Sequence, residues 1–453
     1  MIAAGDPAAA PYLSEPRDRY RGQAAAILKP GSTREVAAIV RACADRRLGI
    51  VPHAGGTGLV GGQVTEAAPA PVVLSLERMN RVREVLPRDG VVVAEAGVVL
   101  ADLQACAAGA GRLLPLSLAS EGSARLGGLL ATNAGGVAVL RYGNARDLCL
   151  GVEAVLPDGS VLHGLKPLRK DNTGYDLRHL LIGSEGTLGI ITAAVMKLYP
   201  APAERVTAML TVPSPAAAVD LLDALRTALG DQVTAFELIA RQGMDWLARF
   251  HPERADPLPG RPAWRVLVEA TAPGGTGLDA RAEAAFAAAF EAGLATDGAL
   301  AQSEAQRAAI WWLRETIPEA NRRVGALSSH DIAVPVSRIP AFIEAATAAV
   351  GAVDADLRVN CFGHVGDGNL HFNVFPPEGR RKADVAGLEP AVMRAVHDRV
   401  AACGGTISAE HGIGRAKPAE LRRYGDPAKL AAMRAIKAAL DPLGIMNPGA
   451  IFG

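Results

Sequence analysis

Neither sign of charge is in excess in this 453-residue chain: 47 Lys and Arg face 47 Asp and Glu. That balance leaves no basic footprint of the kind nucleic acids or anionic membranes require. Cysteine is sparse, five residues far apart (Cys43, Cys106, Cys149, Cys361, Cys403) with no C-x-x-C pair, which argues against a disulfide framework and suits a reducing compartment. No apolar run reaches the ~18–20 residues of a membrane span. The N-terminus, MIAAGDPAAAPYLSEPRDRY, has no basic segment leading into an apolar core, so it does not read as a secretory signal. Expected from these absences is a soluble cytoplasmic protein without a membrane span or a nucleic-acid partner. Peripheral membrane association is left open. What is abundant is apolar residues, at 49%, too many for disorder, over a length that suits two or three domains.

Glycine is the other abundance. The chain has 49, about 11%, where roughly 7% is usual. There is no collagen-like period, so the excess serves local backbone geometry. Twenty of the 49 fall in five short windows, 55–62, 122–136, 183–189, 363–368 and 404–414, and those windows direct the search.

Around them the chain alternates short helices and strands. Ser32 and Thr33 can cap a helix over 35–47, with Val36, Ile39, Val40 and Cys43 at helical spacing. Strands are expected at 48–51, 72–76, 91–94 and 189–198. Residues 150–156 and 161–163 flank a Pro157-Asp158-Gly159 turn and read as a hairpin. The Pro-rich stretch 199–202 is the best linker. Beyond it lie Ala-rich helices (216–229, 280–292) and strands such as 264–269, then an amphipathic helix over 427–440. The class is α+β, with no internal repeat.

Gly56-Thr57-Gly58-Leu59-Val60-Gly61 matches the dinucleotide fingerprint G-x-G-x-x-G, and Glu77 follows a strand sixteen residues later. A Rossmann unit needs a crossover of a dozen or more residues, and about ten, including Pro69 and Pro71, separate Gly62 from Val72. The Rossmann reading is therefore rejected. What remains is a loop whose unhindered N–H groups can surround a pyrophosphate. A second cluster, 122–136, adds Ser123, Thr132 and Asn133, able to bond a polar heterocycle or ribityl chain. A third runs over 180–191. Any one of them could be packing; together they suggest one long ligand.

The segments PHAGGTGLVGG, GGLLATNAGG, LIGSEGTLGIIT, GHVGDGNLH, SAEHGIG and NPGAIF occur in this order between residues 52 and 452. With them the chain resembles the FAD-linked D-2-hydroxy acid dehydrogenases (the D-lactate, D-2-hydroxyglutarate and glycolate-oxidase-subunit type) of the vanillyl-alcohol-oxidase/PCMH flavoprotein superfamily. The resemblance implies a PCMH-type FAD-binding domain of two α+β subdomains over 1–202 and an α+β substrate (cap) domain over 203–412. The segment 413–453 would return to the FAD domain. It places Pro52, Ala54, Gly55, Gly56, Thr57, Gly58 and Leu59 around the pyrophosphate. Gly122, Ser123, Gly127, Gly128, Thr132, Asn133 and Gly135 would line the flavin and ribityl portion. Gly183, Glu185, Gly189 and Ile190 would follow the remainder, and Asn447 would bring the C-terminus back. Some superfamily members attach FAD through a histidine in the first loop. Gly56 stands at that position here, with His53 three residues earlier, so FAD is expected to be noncovalent.

Chemistry concentrates after residue 360, where four of the nine histidines lie: His364, His371, His397 and His411. Asp367-Gly368 can form a turn that brings His364 and His371 to one end of two strands, and Glu410 precedes His411 in a glycine-rich loop. Two imidazoles and a carboxylate suit a divalent metal such as zinc. Without a metal, those histidines could be core residues satisfied by hydrogen bonds. The resemblance assigns His364, His371 and Glu410 to a divalent ion. Oxidising an alcohol by hydride transfer to flavin N5 needs a base for the hydroxyl and a grip on the carboxylate. His411 is the right type for the base, or else orients Glu410. Arg314 can grip a carboxylate bidentately, or simply pair with a Glu. Asn373, on the same strand face as His371, can donate to the carboxylate or be a surface amide. The resemblance tips all three toward catalytic and substrate contacts.

Three positions depart from the pattern. Pro318 stands where hydroxyglutarate dehydrogenases usually have a hydroxyl residue. Ser329 precedes His330-Asp331 where Lys is common. Ala450 replaces the Lys of an NPGK ending. Loss of a cation there weakens the case for a second substrate carboxylate. The expected function is an FAD- and divalent-metal-dependent dehydrogenase of a D-2-hydroxy acid, yielding the 2-oxo acid. Electrons would pass to an electron-transfer flavoprotein, quinone or cytochrome, and a homodimer is left open. An oxidase of another alcohol, an inert flavin-binding subunit and a zinc hydrolase are the alternatives.

Overall fold

In the computed structural model, residues 1–258 and 260–453 are described. The chain forms two units: Met1–Gly136, Gly143–Ala201 and Glu410–Gly453 make the first, Val137–Tyr142 and Pro202–Ala409 the second.

The first unit holds two principal sheets. In one, Ala26–Leu28, Val72–Ser75 and Ile50–His53 pair in parallel, with Ile2–Ala3 antiparallel at the edge. Helix Thr33–Asp45 forms where expected, its Ser32 hydroxyl accepting from the Glu35 N–H at 3.2 Å. Its Val36, Ala37, Val40 and Cys43 pack with Ile50, Val72, Leu74, Ile445 and Met446. The connection over 54–71 contains no helix, so the rejection of a dinucleotide fold stands. The second sheet is antiparallel, in the order Val82–Leu86, Val91–Glu95, Ile190–Lys197, Cys149–Val155, Val161–Gly164. Its last two strands are the expected hairpin, with Gly159 at φ +79° in the turn.

The second unit is built on a seven-stranded antiparallel sheet. Its order is Asp297–Leu300, Glu204–Val212, Trp264–Ala272, Val233–Ala240, Arg358–Gly363, Asn369–Phe375, Ser328–Ala333. Successive side chains alternate between faces. Ala235 and Ile239, with Met209, Leu267, Phe362 and Phe375, face a layer of Met244, Trp246 and Leu247 and of Ile310, Trp311, Leu313 and Ile317. The latter four belong to helix Glu304–Val324, capped by Ser303 and ended by Gly325 at φ +85°. That helix runs on through Pro318, whose missing N–H leaves the Arg314 carbonyl without its usual i+4 donor.

Two sequence expectations change. Residues 137–142, expected in the first domain, pack with the second unit: Val137 joins its core and Arg141 Nη1 donates to Thr271 O at 2.7 Å. By length and mean hydropathy, 1.3, Val336–Val353 alone among the described residues could cross a membrane. Its Ile339, Phe342, Ile343, Ala346 and Val350 stripe is buried.

Candidate active site

In the first unit the three glycine windows are locked to one another. The N–H groups of Gly55, Gly56, Thr57, Gly58 and Leu59 donate to no acceptor among the described residues. Three of the five carbonyls are tied back: the Gln63 amide donates to Gly56 O and Gly58 O (3.3 and 2.8 Å), and Arg19 Nη2 donates to Leu59 O. A loop with unused amides and most of its carbonyls accepted suits an anion, and these residues fit a pyrophosphate. Pro52 and His53 end the strand before it. His53 is buried against Tyr12, and burial lowers its pKa to about 4, so its ring is neutral.

The second window packs against the first. A Cβ on Gly55 would lie 2.3 Å from Ser123 O, one on Gly128 3.1 Å from Ala54 Cβ, and one on Gly127 2.7 Å from Ala96 Cβ. Gly122 borders open space and Gly135 is buried. Thr132 Oγ1 donates to Gly128 O, and Asn133, at φ +52°, accepts the Arg146 N–H through Oδ1. Ser123 Oγ donates to Ser120 O, at a long 3.4 Å. In the third window, Gly183 N–H and Glu185 N–H donate to Leu130 O and Ala131 O (2.9 and 2.8 Å). A Cβ on Gly189 would stand 3.0 Å from Val155 O, and Ile190, paired with Val155, opens the next strand.

The C-terminal segment closes the same unit. Glu185 accepts the Ile413 and Gly414 N–H groups at 2.8 and 2.7 Å, while burial, opposed by those bonds, raises its pKa. Asn447 Nδ2 donates to Gly62 O and Glu185 O (3.0 and 2.7 Å), and its Oδ1 accepts from Arg415 Nη2 at 2.8 Å. Arg415 Nη1 donates to Gly61 O and Gly62 O, both at 2.9 Å. Its desolvation lowers its pKa to about 10. The side chains of Glu185 and Asn447, expected at the cofactor, thus join the loops to the C-terminus. Glu410 Oε1 accepts the Gly136 N–H at 2.8 Å, and His411 follows it, half-buried.

The second unit brings His364 and His371 together as the turn at Asp367-Gly368 suggested. Their rings stand 5.6 Å apart, nearly perpendicular, at the adjoining ends of Arg358–Gly363 and Asn369–Phe375. His364 Nδ1 lies 2.6 Å from Glu237 Oε1. Arg314 Nε donates to Glu237 Oε2 at 2.7 Å, its guanidinium sits 4.8 Å from the Phe362 ring centroid, and its buried Nη2 has no partner among the described residues. Glu237 is fully buried. Burial alone would raise its pKa, but His364 and Arg314 hold it down at about 2. Burial pushes the nearby Asp367 up to about 6 despite His364. Asp331, opposite His371 in the strand register, accepts from Asn369 Nδ2 at 2.9 Å and lies 3.9 Å from His371 Nδ1. Asn373 is buried, donates to His371 O at 3.0 Å, and stands opposite Ser329.

Sequence reasoning missed Glu237 and Arg415. The signal for Glu237 was present: a single carboxylate in the otherwise uncharged strand VTAFELIA. The two histidines fit a divalent metal. A histidine whose Nδ1–H is held by a carboxylate offers Nε2 as a ligand, the usual arrangement at metal sites.

The family described as "FAD linked oxidases, C-terminal domain" matches residues 201–451, and "FAD binding domain" matches residues 24–164. A mitochondrial D-2-hydroxyglutarate dehydrogenase of Bos taurus is 40% identical over 94% of this chain and 77% of its own length. A D-2-hydroxyglutarate dehydrogenase of Xanthomonas citri pv. viticola is 37% identical over 96% and 90%. Among solved structures, p-cresol methylhydroxylase with substrate bound matches at TM-score 0.74 and 17% identity, over 98% of this chain and 92% of that one. Alkyldihydroxyacetonephosphate synthase matches at 0.72 and 19%, over 95% and 77%. Both share the fold.

Proposed function

The chain belongs to the family of FAD-linked oxidases and is an FAD-dependent oxidoreductase, and on that premise we propose that it is a D-2-hydroxyglutarate dehydrogenase using a divalent metal. The observation that carries the reading is the buried Arg314. Its guanidinium is anchored through Nε and leaves Nη2 for a substrate carboxylate, within the unit where two histidines converge.

In this reading bound, noncovalent FAD would supply the hydride acceptor for C2, and a divalent metal, zinc by its ligand set, would supply a Lewis acid for the hydroxyl oxygen. His364 and His371 would hold the ion through ring nitrogens. Glu410 would be its third ligand. His411 receives the hydroxyl proton. Arg314 grips the carboxylate next to C2, and Asn373 donates to it. Reduced flavin would be reoxidised by a carrier such as an electron-transfer flavoprotein, a quinone or a cytochrome. We place the enzyme in the cytoplasm, while named relatives include mitochondrial and bacterial proteins.

A second reading, a shorter acid such as D-lactate, is favoured by Ser329. It stands opposite Asn373 and supplies no cation for a distal carboxylate. Anaerobic titration of the holoenzyme with D- and L-hydroxyglutarate, malate and lactate decides between them. Bleaching of the flavin bands near 370 and 450 nm (roughly, typical of bound flavin) is expected with D-2-hydroxyglutarate. Preferential bleaching by D-lactate supports the second reading, and no bleaching by any D-acid refutes both.

A further inference from the structure

The second unit carries two buried carboxylates against helix Glu304–Val324, and their partners differ. Glu269 accepts from Arg307 Nε and Trp311 Nε1, both at 2.8 Å, and from Thr207 Oγ1 at 2.9 Å. All are groups outside the site. Among the described residues, the side-chain partners of Glu237 are groups assigned to substrate and metal. Its Oε1 meets His364 Nδ1 at 2.6 Å, and its Oε2 accepts from Arg314 Nε at 2.7 Å. A fully buried carboxylate needs its partners, and these two come from positions 127 and 77 residues away.

Each bond fixes something specific. Accepting at His364 Nδ1 selects the tautomer with the proton there, so that Nε2 presents its lone pair to a metal. Accepting at Arg314 Nε fixes the guanidinium so that Nη2 has no partner among the described residues, while Phe362 supports its face at 4.8 Å. One rigid strand residue therefore sets a metal ligand and a carboxylate-gripping group at once. An α-hydroxy acid presents its hydroxyl and carboxylate oxygens on adjacent carbons, so the two protein groups must be held in one register. Building them from a common anchor does that.

We infer that Glu237 is a positioning residue that couples metal binding at His364 to carboxylate binding at Arg314. The inference rests on the reading of the site given above. Glu237→Gln keeps the shape but can accept from only one of the two donors, and turns an N–H toward the other. Removal of such an outer carboxylate typically lowers metal affinity about 10–100-fold.

The test uses FAD-loaded full-length protein, and zinc affinity is measured by competition with a chromophoric chelator. Glu237→Gln is expected to bind zinc at least about tenfold more weakly. Glu269→Gln, which loses bonds to the same helix, is expected to stay within about twofold of the parent while losing thermal stability. For D-2-hydroxyglutarate, Glu237→Gln should raise KM and Glu269→Gln should not. Equal zinc affinity in Glu237→Gln and parent, or equal losses in the two variants, overturns the inference. A parent protein that binds no divalent ion overturns the metal reading itself, and with it this one. Where Glu237→Gln does not fold, the parent decides: long-range ¹H–¹⁵N spectra of ¹⁵N-histidine-labelled, zinc-loaded protein, assigned with His364→Asn, should show His364 protonated at Nδ1. An Nε2–H tautomer rules the anchor out.

Discussion

Asn447 offers a quantitative test of how the first unit is closed. The residue is buried, at 3% exposure, and sits at φ +43°, which Asn tolerates better than other non-glycine residues. Its amide makes three bonds: to Gly62 O, to Glu185 O and from Arg415 Nη2. Two of those partners keep a second bond without it, since Gly62 O still accepts from Arg415 Nη1 and Arg415 Nη2 still donates to Pro448 O. Only Glu185 O is left orphaned. In Asn447→Ala, three bonds at about 1 kcal/mol each give a loss of about 3 kcal/mol. The left-handed backbone adds about 1 kcal/mol for alanine, for a total near 4 kcal/mol. Asn447→Gly avoids the backbone cost and should lose about 3 kcal/mol. Asn447→Asp keeps shape and backbone preference but places a carboxylate oxygen against two carbonyls, so it should lose at least as much as the glycine variant. Denaturant unfolding followed by flavin fluorescence reads all three, and FAD should be released together with unfolding. An Asn447→Asp protein that unfolds at the parental midpoint and keeps its FAD would show that the amide is not the clamp.

Three further outcomes are expected. Gly55→Ala puts a methyl group 2.3 Å from Ser123 O, so the first two loops must part and FAD affinity should fall at least about tenfold with a stability loss of about 1–3 kcal/mol; parental FAD retention in dialysed protein would count against the packing argument. Arg314→Met removes a charge-assisted hydrogen bond worth about 1.5–3 kcal/mol and should raise KM for the hydroxy acid roughly 10–150-fold while FAD content is kept; an unchanged KM would remove Arg314 from the substrate site. Burial pushes the Cys149 thiol up to about 12 and raises Cys361 and Cys43 as well. Iodoacetamide at pH 8 should therefore label the partly exposed Cys106 and Cys403 first, and peptide mass spectrometry showing early labelling of Cys149 would contradict its burial.

Much of the architecture was legible because it is written in near-neighbour preferences. Ser32 before a helical stripe, the Pro157-Asp158-Gly159 hairpin and the helix over 427–440 depend on backbone and periodicity within a few residues, and they appear where expected. So does the helix-free connection after Gly62, which chain length alone dictated. Glycine clustering located the loops, and Asp367-Gly368 brought its two histidines together. What local pattern could not carry is strand order. Glu237 meets Arg314 and His364 only because Val233–Ala240 lies beside Arg358–Gly363 under helix Glu304–Val324. From sequence Arg314 suits either a substrate group or a plain ion pair; the structure shows an ion pair with Glu237 in which Nη2 has no partner among the described residues. The same holds for Asn447 and Arg415, which reach loops more than 350 residues earlier, and for 137–142, whose short stretch gives no sign of which core it joins. Near-neighbour pattern was enough for the loops, most of the elements and the class of ligand they suit. Tertiary structure decided which buried charge anchors which functional group, because a buried charge is settled by partners from distant strands, and no local spacing encodes them.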